Sequence, residues 1–301
     1  MPLHETAQRP LSRVRSGTMT LPALVRLELV KLRKSQAVLV GVLSLVAFML
    51  LVLWGFHSYA ARQLGGVSIF GNSLSNQGYF NGLLFCLYSL YFAFNFVIPV
   101  VIVVVAGGQI SGEANAGTLR AIMSRPVGRT SLLASKFLAT AFYTWLVLAA
   151  FISLNLILGV VLVGWGDLGL YPGPLGLVEE PGSIPLQEAL LRFGFATLSG
   201  TWALLTLAAF AFLLSVLVDS PVISIAAVIA TYMVLTVVGR VEFFSAIKPH
   251  FFTTDMDFWR IVFKPEMPWR EIGYSASRCG VYIFSFLLAA VLIFERKDIS
   301  S

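Results

Sequence analysis

Residues 36–56 contain no charged side chain in 21 consecutive positions, and the same absence recurs over 83–106 and 137–163. Hydrocarbon cannot solvate ions, so an Arg, Lys or Asp at the centre of a spanning helix costs about 2.5–3.5 kcal/mol. About 20 apolar residues cross the ~30 Å hydrocarbon core. Runs of this length therefore commit the chain to a bilayer. Spans are expected at 36–56, 82–106, 137–163, 190–218, 221–238 and 276–294. The expected fold class is all-α: a polytopic membrane protein with six transmembrane helices. Only 12% of the residues are charged, whereas soluble domains sit near 25%. The net charge of +6 does not point to nucleic acid, because the basic residues flank apolar runs, as cytoplasmic anchors facing anionic lipid do.

Residues 1–19 are polar, with Arg9, Arg13 and Arg15, and read as a disordered cytoplasmic tail. No cleavable signal is visible, so the first span is an uncleaved anchor. Residues 20–301 form one transmembrane domain. Within it, 20–35 alternates Leu21, Leu24, Val25, Leu27, Leu29 and Leu32 with Arg26, Glu28, Lys31, Arg33 and Lys34. This segment is too charged to span and reads as an amphipathic helix in the interface, or as a basic flank of the first span. Pro22 suits its first turn. Residues 57–80 form an outer loop.

Pro99 should kink the second span. Asn95 and Asn155 are lone amides in the second and third spans; each makes a buried interhelical hydrogen bond or stands on a substrate path. The breaker density of 164–187, from Gly164 to Pro185, forbids a helix or a central strand. Glu188 and Arg192, four apart, are placed to pair. Asp219 precedes Ser220 and Pro221 in a tight turn, where it caps a helix or acts as a functional acid. Residues 239–272 mix charge with Trp and Phe and read as short interfacial helices on the outer face. Six spans put both termini on one side. Counting Lys and Arg gives 13 inside and 8 outside, so the termini are cytoplasmic and the membrane is the plasma membrane.

No phosphate loop, HExxH, Cys/His cluster or nucleophile elbow is present, so no catalytic or metal-binding residues are assigned. Cys86 and Cys279 read as small apolar filler. The span middles lack ionisable residues, which disfavours a proton relay or charged pore. Energy for any active transport then comes from outside the chain.

The best place for it to enter is 109–130, the polar interruption between the second and third spans. Its pattern, E-x3-G-T-L-x6-P-x2-R, places Glu113, Gly117, Thr118, Leu119, Arg120, Arg125, Pro126 and Arg129 ahead of Lys136. Gly117 permits a sharp bend, Thr118 can cap a short helix through Met123, Pro126 stops it, and Thr130 can cap the next. Leu119, Ile122 and Met123 are expected as exposed apolar knobs for a partner's groove, and such a device passes rigid-body motion into the spans.

These residues, with Glu28, Leu29 and Lys31 in the first helix and Phe294 to Ile299 at the end, resemble the permease subunits of ABC type-2 transporters. The resemblance covers nearly the whole chain. It implies that the central stretch is a coupling helix docking on a separate cytoplasmic ATPase, with Glu113, Gly117, Thr118, Leu119, Arg120 and Pro126 in the coupling element. It also implies an elbow role for the N-terminal helix and short outer helices before the last span. The chain itself then binds no cofactor; ATP and magnesium belong to two copies of the ATPase. A six-span chain does not enclose a pathway alone, so a second permease copy, identical or related, is expected. The apolar spans suit an amphipathic or lipid-like substrate. A non-transporting membrane anchor or signalling subunit, and a secondary carrier, are the competing readings.

Overall fold

The computed structural model describes residues 20–63, 81–119, 128–170, 176–177 and 182–297. The expected tail at 1–19 and most of the first outer loop lie outside them. The described residues are mostly helical: α1 Leu21–Arg33, α2 Gln36–Gln63, α3 Gly82–Asn95, α4 Val97–Gly107, α5 Ser111–Asn115, α6 Arg129–Val163, α7 Leu186–Leu217, α8 Pro221–Val238 and α9 Trp269–Arg296. Five helices, α2, α6, α7, α8 and α9, are long and apolar enough to cross a membrane. The count rises to six if α3 and α4, bent by 45° at a short break, form one span.

That break has a specific cause. A helical N–H donates to the carbonyl four residues back, so Pro99 leaves the Asn95 carbonyl without its donor and its ring crowds that carbonyl. The chain breaks at Phe96, and Pro99 becomes the third residue of α4, where no intrahelical donor is required. The Tyr232 hydroxyl of α8 donates to the Asn95 carbonyl at 3.3 Å. The kink expected at Pro99 thus appears three residues earlier.

Helix α7 is the axis of the bundle. Its apolar window is 72% buried, against 17–33% for the other single-helix spans. Small residues explain how: Gly200, Ala203, Ala208, Ala209 and Ala211 let neighbours approach closely. A methyl group on Gly200 would meet Leu148 Cδ2 at 2.9 Å and Phe94 Cε2 at 3.2 Å.

One expectation needs correction. The segment 239–272 does form short turns, as 3₁₀ helices at Glu242–Phe244, Lys248–His250 and Met256–Phe263. The last is not a surface element: Met256, Phe258, Trp259, Val262 and Phe263 are buried. Trp259 packs on Phe94 at 5.2 Å and Phe263 on Phe193 at 4.9 Å between ring centroids. Arg192, paired with Glu188 as expected, also donates to the carbonyls of Val262, Lys264 and Pro265 and so holds this plug in place. The breaker-rich 164–187 contains two strands, β1 Leu168–Leu170 and β2 Gly182–Ile184, paired antiparallel with Leu168 opposite Ile184. Three-residue strands paired only with each other tolerate flanking Gly and Pro that a central strand would not.

Helices α3 and α6 cross at two glycines. A Cβ on Gly82 would collide with the Gly159 backbone, and one on Gly159 with the Gly82 backbone. Gly159→Leu is expected to lower stability by about 1–3 kcal/mol or more, since overpacking backbone against side chain forces the helices apart. Thermal unfolding in detergent measures this, with Gly164→Leu unsuited as a control because its φ is +104° and Gly194→Leu, which meets nothing within 4 Å, serving instead.

Candidate functional site

Of the residues singled out after the second apolar run, the described ones lie at one end of the bundle, with α1, the α7–α8 turn and the end of α9. Glu113 lies in α5, the single turn that follows α4. Behind it the chain is pinned. The backbone N–H groups of Ile110 and Ser111 both donate to Ser215 Oγ of α7 at 3.0 Å, and Gln109 Nε2 donates to Thr140 Oγ1 of α6 at 3.1 Å. Gly107 lies close enough to α8 that an added Cβ would meet Ile225 at 3.0 Å.

Glu113 then joins a four-membered charge cluster. Lys136 Nζ of α6 lies 2.7 Å from Glu113 Oε1 and 3.1 Å from Glu28 Oε2 of α1. Lys31 Nζ of α1 lies 3.0 Å from the same Glu113 oxygen and 3.0 Å from Glu28 Oε1. Two ammoniums and two carboxylates close a neutral ring across three elements. The Lys136 side chain is 1% exposed and that of Glu28 7%, whereas Lys31 is half exposed. Burial works to lower the Lys31 pKa, and hydrogen bonds to Glu113 and Glu28 outweigh it, so its ammonium is held above the ordinary lysine value. The raised value means that Lys31 contributes its share at all pH values below the ordinary lysine range. That share is lost only as pH climbs through the raised pKa.

Sequence reasoning placed Glu28, Lys31 and Lys136 in the right neighbourhoods without joining them. Lys136 stood at the border of the third span, where it reads as an interfacial anchor; the structure buries it. Glu28 and Lys136 are 108 positions apart, and no local pattern connects them. The available signal was the single acid on the interior face of an otherwise basic α1.

Other assigned residues divide. Gly117 has φ +68° and makes the expected bend. Thr118 Oγ1 donates to the Glu113 carbonyl at 3.3 Å. Leu119 is buried, contrary to its expected role as an exposed knob: it packs with Ile110, Leu132, Leu133, Phe212, Val216 and Phe294. The turn at Gly117 folds it inward onto this cluster. Arg120, Ile122, Met123, Arg125 and Pro126 lie outside the described residues. Thr130 does not cap α6, whose cap position is Gly128 without a side-chain bond. Arg129 instead donates to the carbonyls of Phe294, Glu295 and Lys297, closing the end of α9. Asp219 is not a helix cap either; it accepts from Lys297 at 2.6 Å.

Away from this end, Asn95 Nδ2 donates to the Tyr91 carbonyl at 2.8 Å and its Oδ1 accepts from Arg240 at 3.2 Å. Asn155 Nδ2 donates to the Phe151 carbonyl at 2.8 Å, while its buried Oδ1 has no hydrogen-bond partner. Among the described residues no group of three or more His, Cys, Asp or Glu could hold a metal ion.

The cluster predicts an asymmetry. Lys136→Met leaves two carboxylates buried against one half-exposed lysine and is expected to cost on the order of 3–5 kcal/mol. Lys31→Met is expected to cost about 0–1 kcal/mol, because solvent screens its charge. Thermal unfolding of the two variants in the same detergent checks the order; equal losses would contradict it.

Residues 24–169 match the family described as "ABC-2 family transporter protein". A relative, "Uncharacterized protein YhcI" of Bacillus subtilis (strain 168), is 24% identical over 203 residues, which covers 66% of this chain and 64% of that protein. The chain thus matches less than two thirds of that relative's length. The matched residues, just under half of the chain, hold most of α1, all of α2, the bent α3–α4 pair, α5, α6 and all four members of the charge cluster.

Proposed function

We propose that the chain is the transmembrane permease subunit of an ABC transporter, driven by ATP hydrolysis on a separate cytoplasmic ATPase. The observation that carries this reading is the buried charge ring joining α1, α5 and α6. It makes the segment after the second span, the N-terminal helix and the start of the third span one mechanical unit. A push on the 109–130 stretch would then move two spans together rather than be absorbed by a loop.

In this reading α1 is the interfacial elbow, α3 and α4 are one bent span, and the six spans carry both termini to the cytoplasmic face of the plasma membrane. Residues 20–301 act as one permease domain. Glu113, Gly117, Thr118, Leu119, Arg120, Ile122, Met123 and Pro126 form the coupling element. Within it Glu113 and Leu119 anchor the stretch from inside, while Thr118 is exposed and Ile122 and Met123 are the residues for the partner's groove. Two ATPase copies, holding ATP and magnesium, and a second permease copy complete the transporter. The substrate is amphipathic or lipid-like and moves outward. Asn155, with its unpartnered Oδ1, is the stronger candidate for the substrate path; the groups of Asn95 are taken up by the helix break.

The test follows from the burial of Leu119, whose substitution would disturb the core. Ile122→Asp combined with Met123→Asp, in the permease co-expressed with an ABC ATPase encoded beside it, should leave the permease folded. It should abolish co-purification and permease-dependent stimulation of ATP turnover. Unchanged stimulation would remove the coupling role. Partner binding that never alters ATP turnover with any amphipathic substrate would favour the membrane-anchor reading.

A further inference from the structure

A second feature of α1 is unrelated to the charge ring. Between α1, α2 and α6 lies an apolar cavity of about 420 Å³. Its walls run from Val38 to Met49 on α2 and from Phe142 to Leu154 on α6, so it follows the helices for about 18 Å at 1.5 Å per residue. This is a slot along the bundle. Its lining is almost wholly aliphatic and aromatic, with two polar groups. One is Arg33, exposed at the end of α1 just before α2 begins. The other is Tyr143, which is 6% exposed and whose hydroxyl is buried without a hydrogen-bond partner.

The distribution of charge on α1 identifies the occupant. Glu28 and Lys31 are used inward. Arg26, Leu29 and Arg33 follow at helical spacing on a second stripe, which includes the slot-lining Leu29 and Arg33. Neither Arg26 nor Arg33 has a carboxylate partner among the described residues. Free guanidinium groups at the interface end of an apolar slot match an anionic phosphate above a hydrocarbon chain. We propose that this slot holds one acyl chain of an anionic phospholipid, with its headgroup phosphate on Arg33 and Tyr143 available to donate to a polar group of the lipid.

The test uses the full chain in detergent, incubated with an equimolar mixture of dioleoylphosphatidylglycerol and dioleoylphosphatidylcholine and examined by native mass spectrometry. The expected result is one retained phosphatidylglycerol per chain in preference to phosphatidylcholine. Arg33→Gln, at an exposed position, should weaken that preference about fivefold. Ala150→Trp and Val42→Trp, which fill the slot from opposite walls, should each abolish retention; two independent variants guard against one failing to fold. Equal retention of both lipids, unaffected by these substitutions, would mean annular lipid only and overturn the proposal. A wild-type dimer that retains no lipid and dissociates on Ala150→Trp would place a second copy in the slot and overturn it equally.

Discussion

An ammonium buried in an apolar bundle must be neutralised where it stands, and the arrangement at one end of this protein follows from that requirement at Lys136. The side chain is removed from solvent, so it needs carboxylates with good geometry or its burial is prohibitive. The acids that face it are Glu113 on the single turn α5 and Glu28 in the N-terminal helix. Supplying both draws α5 beneath α6 and seats α1 against the same surface. Lys31 then balances the second carboxylate, and the ring closes neutral. Hydrogen bonds donated by this segment to Ser215 and to Thr140 fix it from the other side. A polar interruption between two spans is thereby turned into a rigid part of the bundle.

The opposite half is organised around a different constraint, the missing N–H of Pro99. It separates α3 from α4 at Phe96 and leaves a carbonyl that Tyr232 satisfies from α8. The plug at Met256–Phe263, held by Arg192, fills the space beside the break with Trp259 against Phe94. The small residues of α7 allow both features to pack on one central helix. The bundle is stiff at the charged end and irregular at the break and the plug, a distribution suited to receiving motion at one end and changing shape toward the other.

Much of this was legible in the sequence, because lipid leaves few alternatives for a charge-free run of 20 residues. Helix α8 runs from Pro221 to Val238, the limits of an apolar run that proline and Gly239 punctuate. The pairing of Glu188 with Arg192 needed only helical spacing. What was not legible depends on distance in sequence or on the sense of a turn. Glu28 could not be matched to Lys136, because many bases lie at that end and periodicity does not choose among them. Leu119 reads as an outward knob because a short helix held between two spans can present either face; the Gly117 turn directs it inward. The segment 239–272 carries both charge and large aromatics, and composition does not say which of the two decides. Only the buried contacts of Trp259 and Phe263 do.

The charge ring makes α1, the segment after α4 and the start of α6 energetically one unit. A double-mutant cycle tests this most directly: Glu28→Gln, Lys136→Met and the double variant, compared by thermal unfolding with the wild-type chain. If the ring is as described, the double variant will be more stable than the sum of the single losses requires, by an interaction energy of about 0.5–3 kcal/mol. Additive losses would show that Glu28 and Lys136 do not depend on each other, and would contradict it.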